Sequence, residues 1–185
     1  RRDPSLLGKP RRLTLIAFLF LVFLFTARLL IPYHTVIPYA FPLAAYSLTV
    51  VALYGALFAM VTSLPLAVLA AFGLGNALDL TLYYLPASLL GILALGKARR
   101  MASFLWAGAA VALAGALVVF AFRLTMPASD WVGVATLSGV SIFNGLATAS
   151  LTILLQFFLA HLLGTTTPMQ LMDLTRPDNP LLQKL

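Results

Sequence analysis

The sequence predicts an all-α, polytopic membrane protein with six transmembrane helices, and a seventh if the segment 131–163 divides. Three observations carry this expectation. Of the 185 residues, 62% are hydrophobic and only 9% are charged, and the mean hydropathy is +1.01, more apolar surface than a water-soluble domain needs. The apolar runs are too long and too little alternating for barrel strands, and lipid has no place for an open sheet edge, so the spans are helical. The net charge of +7 is gathered at the two ends and in one internal loop, as membrane orientation requires and as a nucleic-acid-binding face does not. The chain has no cysteine, which excludes disulfides, thiolate metal sites and cysteine nucleophiles.

Residues 1–12 read as a basic flanking segment, with Arg1, Arg2, Lys9, Arg11 and Arg12 against Asp3, suited to lipid headgroups. The sequence opens on Arg1 rather than Met, so a cut or processed N-terminus is expected, and the first span is too long for a cleavable signal peptide. A helical transmembrane domain is expected over 13–163. Its first span, 13–31, is close to the ~20 residues a crossing helix needs. Arg28 lies in its last turns, where the long apolar stem carries the guanidinium to the interface. Pro32, Tyr33, His34, Pro38, Tyr39 and Pro42 read as an interfacial turn. His34 has no second His or carboxylate beside it and reads as a loop histidine rather than a metal ligand.

The second span is expected over about 37–54 and the third over about 56–74, with Pro65 kinking the latter. Gly73, Leu74, Gly75 and Asn76 close the next turn. The fourth span, about 78–95, carries Pro86 in its middle and Asp79 near its start. Asn76 and Asp79 are candidate functional polar positions. Asp79 reads either as an acid set favourably against the helix dipole or as a buried ligand for a cation. Lys97, Arg99 and Arg100 form the basic internal loop. In the fifth span, 101–122, Gly108, Ala112 and Ala116 recur every four residues, a spacing that lets helices approach closely in lipid. A turn at 126–131 follows, with Trp131 as an interface anchor. The segment 131–163 is long for one span and short for two. It reads either as one long helix or as a half-helix that breaks at Asn144-Gly145 before a full span. Gln156 and His161 lie in its second half, and His161, near the membrane exit, is a third candidate polar position.

Residues 164–185 read as a linker pointing into water. Thr167 reads as an N-cap and Pro168 suits a first helical turn. Asp173 lies within an apolar run, and the turn residues 175–180, including Asn179 and Pro180, stop the helix. A chain that ends in the first turn of a new amphipathic segment is expected to lead into a further domain. Thr167-Pro168, the run Leu171-Met172-Asp173-Leu174 and Pro177-Asp178-Asn179-Pro180-Leu181-Leu182 resemble the junction between membrane region and cytoplasmic hydrolase in the seven-transmembrane HD phosphohydrolase family. Asp173 stands where that family usually has Glu, and Asp178-Asn179-Pro180 where it has Asn-His-Pro. The resemblance implies a cyclic di-AMP phosphodiesterase whose HD domain, with its di-metal centre, lies beyond this chain.

This chain carries no such chemistry. It has two histidines, neither followed by Asp, and no Glu, so it has neither an HD pair nor an HExxH motif; it also lacks a glycine-rich phosphate loop. No catalytic residue, metal ligand or cofactor site is therefore expected within it. The expected function is membrane anchoring and signal sensing, passed to a cytoplasmic hydrolase. The alternatives are an accessory or structural subunit of a larger membrane complex, or a small transporter-like protein, for which Pro65 and Pro86 in successive spans are the pointer. The expected partners are the lipid bilayer and either other membrane subunits or a second copy of the chain, with no nucleic acid. The asymmetry of basic loops puts both ends in the cytoplasm of a bacterial inner membrane with six spans. An extracytoplasmic domain before Arg1, as the resemblance implies, would call for seven.

Overall fold

Pro42 decides the shape of the bundle's centre. It has no N–H to give to the carbonyl of Pro38, four residues back, and it holds the preceding residue out of the helical region. Phe41 accordingly has φ −69° and ψ 119°, and the second membrane segment breaks into two helices. The computed structural model describes residues 10–96, 101–124 and 131–163. Within them the chain forms α1 (Pro10–Leu30), α2 (Ile37–Ala40), α3 (Ala44–Tyr54), α4 (Ala56–Ala71), α5 (Ala77–Leu95), α6 (Met101–Leu124) and α7 (Trp131–Leu163).

Five segments are long and apolar enough to cross a membrane: Leu13–Leu30, Ile37–Tyr54, Ala77–Leu95, Met101–Arg123 and Trp131–Leu159. The sixth, Ala56–Ala71, is equally apolar but shorter. At 1.5 Å per residue its 16 residues reach about 24 Å. The protein is therefore an all-helical, integral membrane bundle with the six segments expected. α4 and α5 stay helical through Pro65 and Pro86, and the expected span 37–54 is present but made of two helices, α2 and α3. Pro38 and Tyr39 are buried inside the bundle rather than held at an interface. Tyr33 and His34 remain on the exposed turn, where the His34 ring nitrogen Nδ1 lies 2.9 Å from the carbonyl of Pro32.

The segment 131–163 does not divide into two spans. α7 runs continuously for 33 residues through Asn144 and Gly145, about 50 Å against a hydrocarbon core of ~30 Å. Gly145 is spent on packing instead of on a break. A Cβ built on Gly108 would lie 2.6 Å from the Gly145 carbonyl oxygen and 2.8 Å from the Ala149 Cβ. A Cβ on Gly145 would lie 2.7 Å from the Ala112 Cβ. Gly108 and Ala112 on α6 thus face Gly145 and Ala149 on α7, the close approach that small residues four apart permit in lipid.

α6 is sandwiched between α5 and α7, while α3 packs on α4, α5 and α7 and α1 lies against α3 and α4. The core between them is apolar, with Leu48, Leu66, Leu80 and Ile92 fully buried. α3 passes to α4 through Gly55 alone, at φ 92° and ψ 166°. At the other end of the bundle, the Arg28 guanidinium donates to the carbonyl of Phe72, the residue that ends α4. The long stem that would carry this charge to the interface also lets it cap a neighbouring helix. The basic segments at 1–9 and 97–100, most of the turn 126–131, and the linker residues Thr167, Pro168, Asp173, Asn179 and Pro180 lie outside the described residues.

Candidate functional site

A broken helix inside a membrane leaves backbone carbonyls without partners, and each must be satisfied by protein. Here the partners come from α5 and α7. The Pro38 carbonyl, deprived of its helical donor by Pro42, accepts from the buried Tyr84 hydroxyl. The Tyr39 carbonyl is free because the N–H of Leu43 turns to the carbonyl of Phe41, 2.8 Å away. Two groups fill that vacancy. The Tyr83 hydroxyl donates to it at 2.8 Å and the Asn144 amide nitrogen at 2.8 Å. The same amide nitrogen lies 3.1 Å from the Phe41 carbonyl, so one side chain on α7 holds both sides of the break.

These groups are tied to one another. Ser141 Oγ lies 3.2 Å from the Tyr83 hydroxyl and donates to its own helix at Leu137, 2.9 Å away. The Thr148 hydroxyl donates to Asn144 Oδ1 at 3.1 Å, which fixes the amide with its nitrogen toward the break. The Tyr83 ring is gripped as well. It meets Tyr39 edge-on at 5.1 Å, and a Cβ on Gly115 of α6 would lie 2.8 Å from it. Further along α7, the Gln156 amide donates to the Thr49 carbonyl of α3 at 3.1 Å. α7 thus holds the broken segment at two points, one at the break and one within α3.

Beside this joint is a cavity of about 130 Å³. Its polar lining is Tyr39, Asn76, Asp79 and Arg123, and Val118, Val119, Phe122 and Leu137 supply the apolar wall. Asn76 is the N-cap residue of α5 and Asp79 lies in its first turn, so both sit where the helix dipole favours a negative group. The Asn76 side chain, Asp79 and Arg123 all lie within electrostatic reach of the Tyr39 hydroxyl. Tyr39 is the residue common to both parts, with its hydroxyl in the cavity and its carbonyl in the joint.

Of the three polar candidates from the sequence, Asn76 and Asp79 thus come together at this cavity, and His161 lies apart, exposed near the end of α7. Sequence reasoning passed over Tyr83, Tyr84 and Ser141, placed Tyr39 in an interfacial turn and read Asn144 as a breaker. Polar side chains within a span face the bundle interior, and that rule applied to Asn144 would have pointed at the joint. Among the described residues no group of three or more His, Asp or Glu side chains is placed to hold a metal.

The sequence pattern of the family described as 7TM receptor with intracellular HD hydrolase matches residues 1–167. The chain belongs to this family. Within the 7TM–HD receptors it is similar to the cyclic-di-AMP phosphodiesterase PgpH of Bacillus subtilis (strain 168), with 28% identity over 156 residues. That alignment takes in 80% of this chain but 22% of PgpH, so the chain spans about a fifth of the length of this relative. No solved structure matches the chain.

Proposed function

We propose that this chain is the membrane-anchoring and signal-sensing region of a receptor, and that it controls a cytoplasmic HD hydrolase acting on cyclic di-AMP. The observation that carries the reading is the Asn144 amide of α7 holding the carbonyls of Tyr39 and Phe41 across the helix break. A break whose partners belong to another helix has two available arrangements, joined and released, and such an element converts a local event into a helix displacement. α7 is the output. It is the last helix among the described residues, it is longer than a bilayer is thick, and it leads toward the linker at 164–185. The cavity at Tyr39 is the input, since whatever occupies it contacts the residue whose carbonyl Asn144 holds.

In this account the protein sits in the bacterial cytoplasmic membrane with the linker on the cytoplasmic side. The di-metal centre and the hydrolysis of the phosphodiester belong to the HD domain; this chain supplies the control. Inserting a flexible Gly-Ser segment after Thr175 in the full-length protein tests the mechanical link. Basal hydrolysis is expected to persist while substitutions at the joint cease to affect it. Continued sensitivity to joint substitutions across the inserted segment would show that the linker does not transmit.

A further inference from the structure

The cavity carries one acid and one base from different helices. Asp79 is on α5 and Arg123 on α6, both are partly buried, and both face the same 130 Å³ space. No ion pair joins them among the described residues. A charge held partly out of water without a partner is costly, so each favours a complementary group. A lone cation would meet Arg123, and a lone anion would meet Asp79. A neutral apolar molecule would leave both charges desolvated. The remaining wall, Val118, Val119, Phe122 and Leu137, accepts a small hydrocarbon portion. A cavity near 150 Å³ holds a molecule of benzene's size, so the occupant has on the order of six to eight non-hydrogen atoms.

We infer that this cavity binds a small zwitterion, its ammonium at Asp79 and its anionic end at Arg123. Tyr39 and Asn76 supply the neutral hydrogen bonds beside these two charges, and the apolar wall takes the hydrocarbon portion. This chemistry has two sources, a free α-amino acid or the ammonium-phosphate headgroup of a zwitterionic lipid. The inference rests on the reading of the cavity as the receptor's input and gives that input a ligand class.

The test uses the full-length protein. In phospholipid-free detergent it is titrated with L-alanine by calorimetry, with propionate and ethylamine as singly charged comparisons. In parallel, thermal midpoints are compared in nanodiscs of phosphatidylethanolamine and of phosphatidylglycerol. Saturable binding of L-alanine, with both comparisons at least about tenfold weaker, assigns the free amino acid. No L-alanine binding, but a higher midpoint in phosphatidylethanolamine than in phosphatidylglycerol, assigns the headgroup. In either case Asp79→Asn and Arg123→Gln each remove the effect or weaken it by about tenfold. Val118→Phe, which fills the cavity and leaves both charges in place, does the same and serves if a charge variant does not fold. Absence of both signals overturns the inference, as does a signal unchanged in folded variants. If the zwitterion binds and hydrolysis does not respond, the ligand class stands and the transmission account fails; if nothing binds while joint substitutions still alter hydrolysis, the reverse holds.

Discussion

Gly108 of α6 and Gly145 of α7 meet backbone against backbone, with no room for a Cβ on either. A methyl group on Gly108 would sit 2.6 Å from the Gly145 carbonyl oxygen, closer than real Cβ contacts come. Substituting Gly108→Leu is expected to lower stability by about 1–3 kcal/mol or more, because the two helices must separate. Gly139 lies on α7, the helix of Gly145, with nothing within 4 Å of its Cβ position. Gly139→Ala should be neutral or stabilising by up to about 1 kcal/mol, through helix propensity alone. Thermal unfolding of both variants in detergent checks the pair, and equal midpoints would mean that the glycine contact contributes nothing.

Tyr84→Phe removes the hydroxyl that serves the Pro38 carbonyl, the one left without a helical donor by Pro42. Stranding that buried acceptor is expected to cost about 1–3 kcal/mol. Pro42→Ala restores an N–H at the position where Pro38 would find its helical donor, so the Tyr84→Phe cost should shrink in that background. A double-mutant cycle on thermal or denaturant unfolding reads the coupling, and strict additivity would detach Tyr84 from the break.

The chain turns from α3 to α4 on Gly55, whose φ of 92° and ψ of 166° belong to a region almost closed to other residues. Its Cβ position is open, so a substitution acts through the backbone alone. Gly55→Ala should cost about 1–3 kcal/mol despite the free space around it. An unchanged midpoint would mean that the turn relaxes into another conformation.

How far the fold was legible follows from which signals have one meaning in a membrane. Uninterrupted apolar length does, and it located all six segments; small residues at four-residue spacing located the contact of Gly108 and Ala112. Proline does not. Pro65 and Pro86 sit inside continuous helices, while Pro42 ends one, and its freed Pro38 carbonyl takes a donor from α5. Asn144-Gly145 carried turn chemistry that is dependable in water. In the bundle, the Asn side chain finds backbone carbonyls 2.8 and 3.1 Å away and the Gly finds another helix, so the pair stays helical. Asn76 and Asp79 were legible because charged and amide groups beside a span stand out. Tyr39, Tyr83 and Tyr84 were not, because their roles exist only once α2, α5 and α7 have met.

Six crossings place the exposed turn at Tyr33 and the basic loop at Ala98 on opposite sides of the membrane. This sequence has no cysteine, so single cysteines at Tyr33, Ala98 and Gln183 report cleanly. Labelling in oriented vesicles should reach Ala98→Cys and Gln183→Cys from one face and Tyr33→Cys from the other. Labelling of Ala98→Cys and Gln183→Cys from opposite faces would contradict the six-span arrangement.

The most direct measurement of the receptor account is the rate of cyclic di-AMP hydrolysis by the full-length protein in proteoliposomes, with Asn144 intact and with Asn144→Ala. The substitution removes two hydrogen bonds from the break, worth about 1–3 kcal/mol together, and touches no group that could hold a metal or a phosphodiester. If the joint governs the hydrolase through α7, the rate changes by about fivefold or more while the Gly139→Ala control stays at the wild-type value. A rate equal to wild type in a folded, membrane-inserted Asn144→Ala protein would contradict the account.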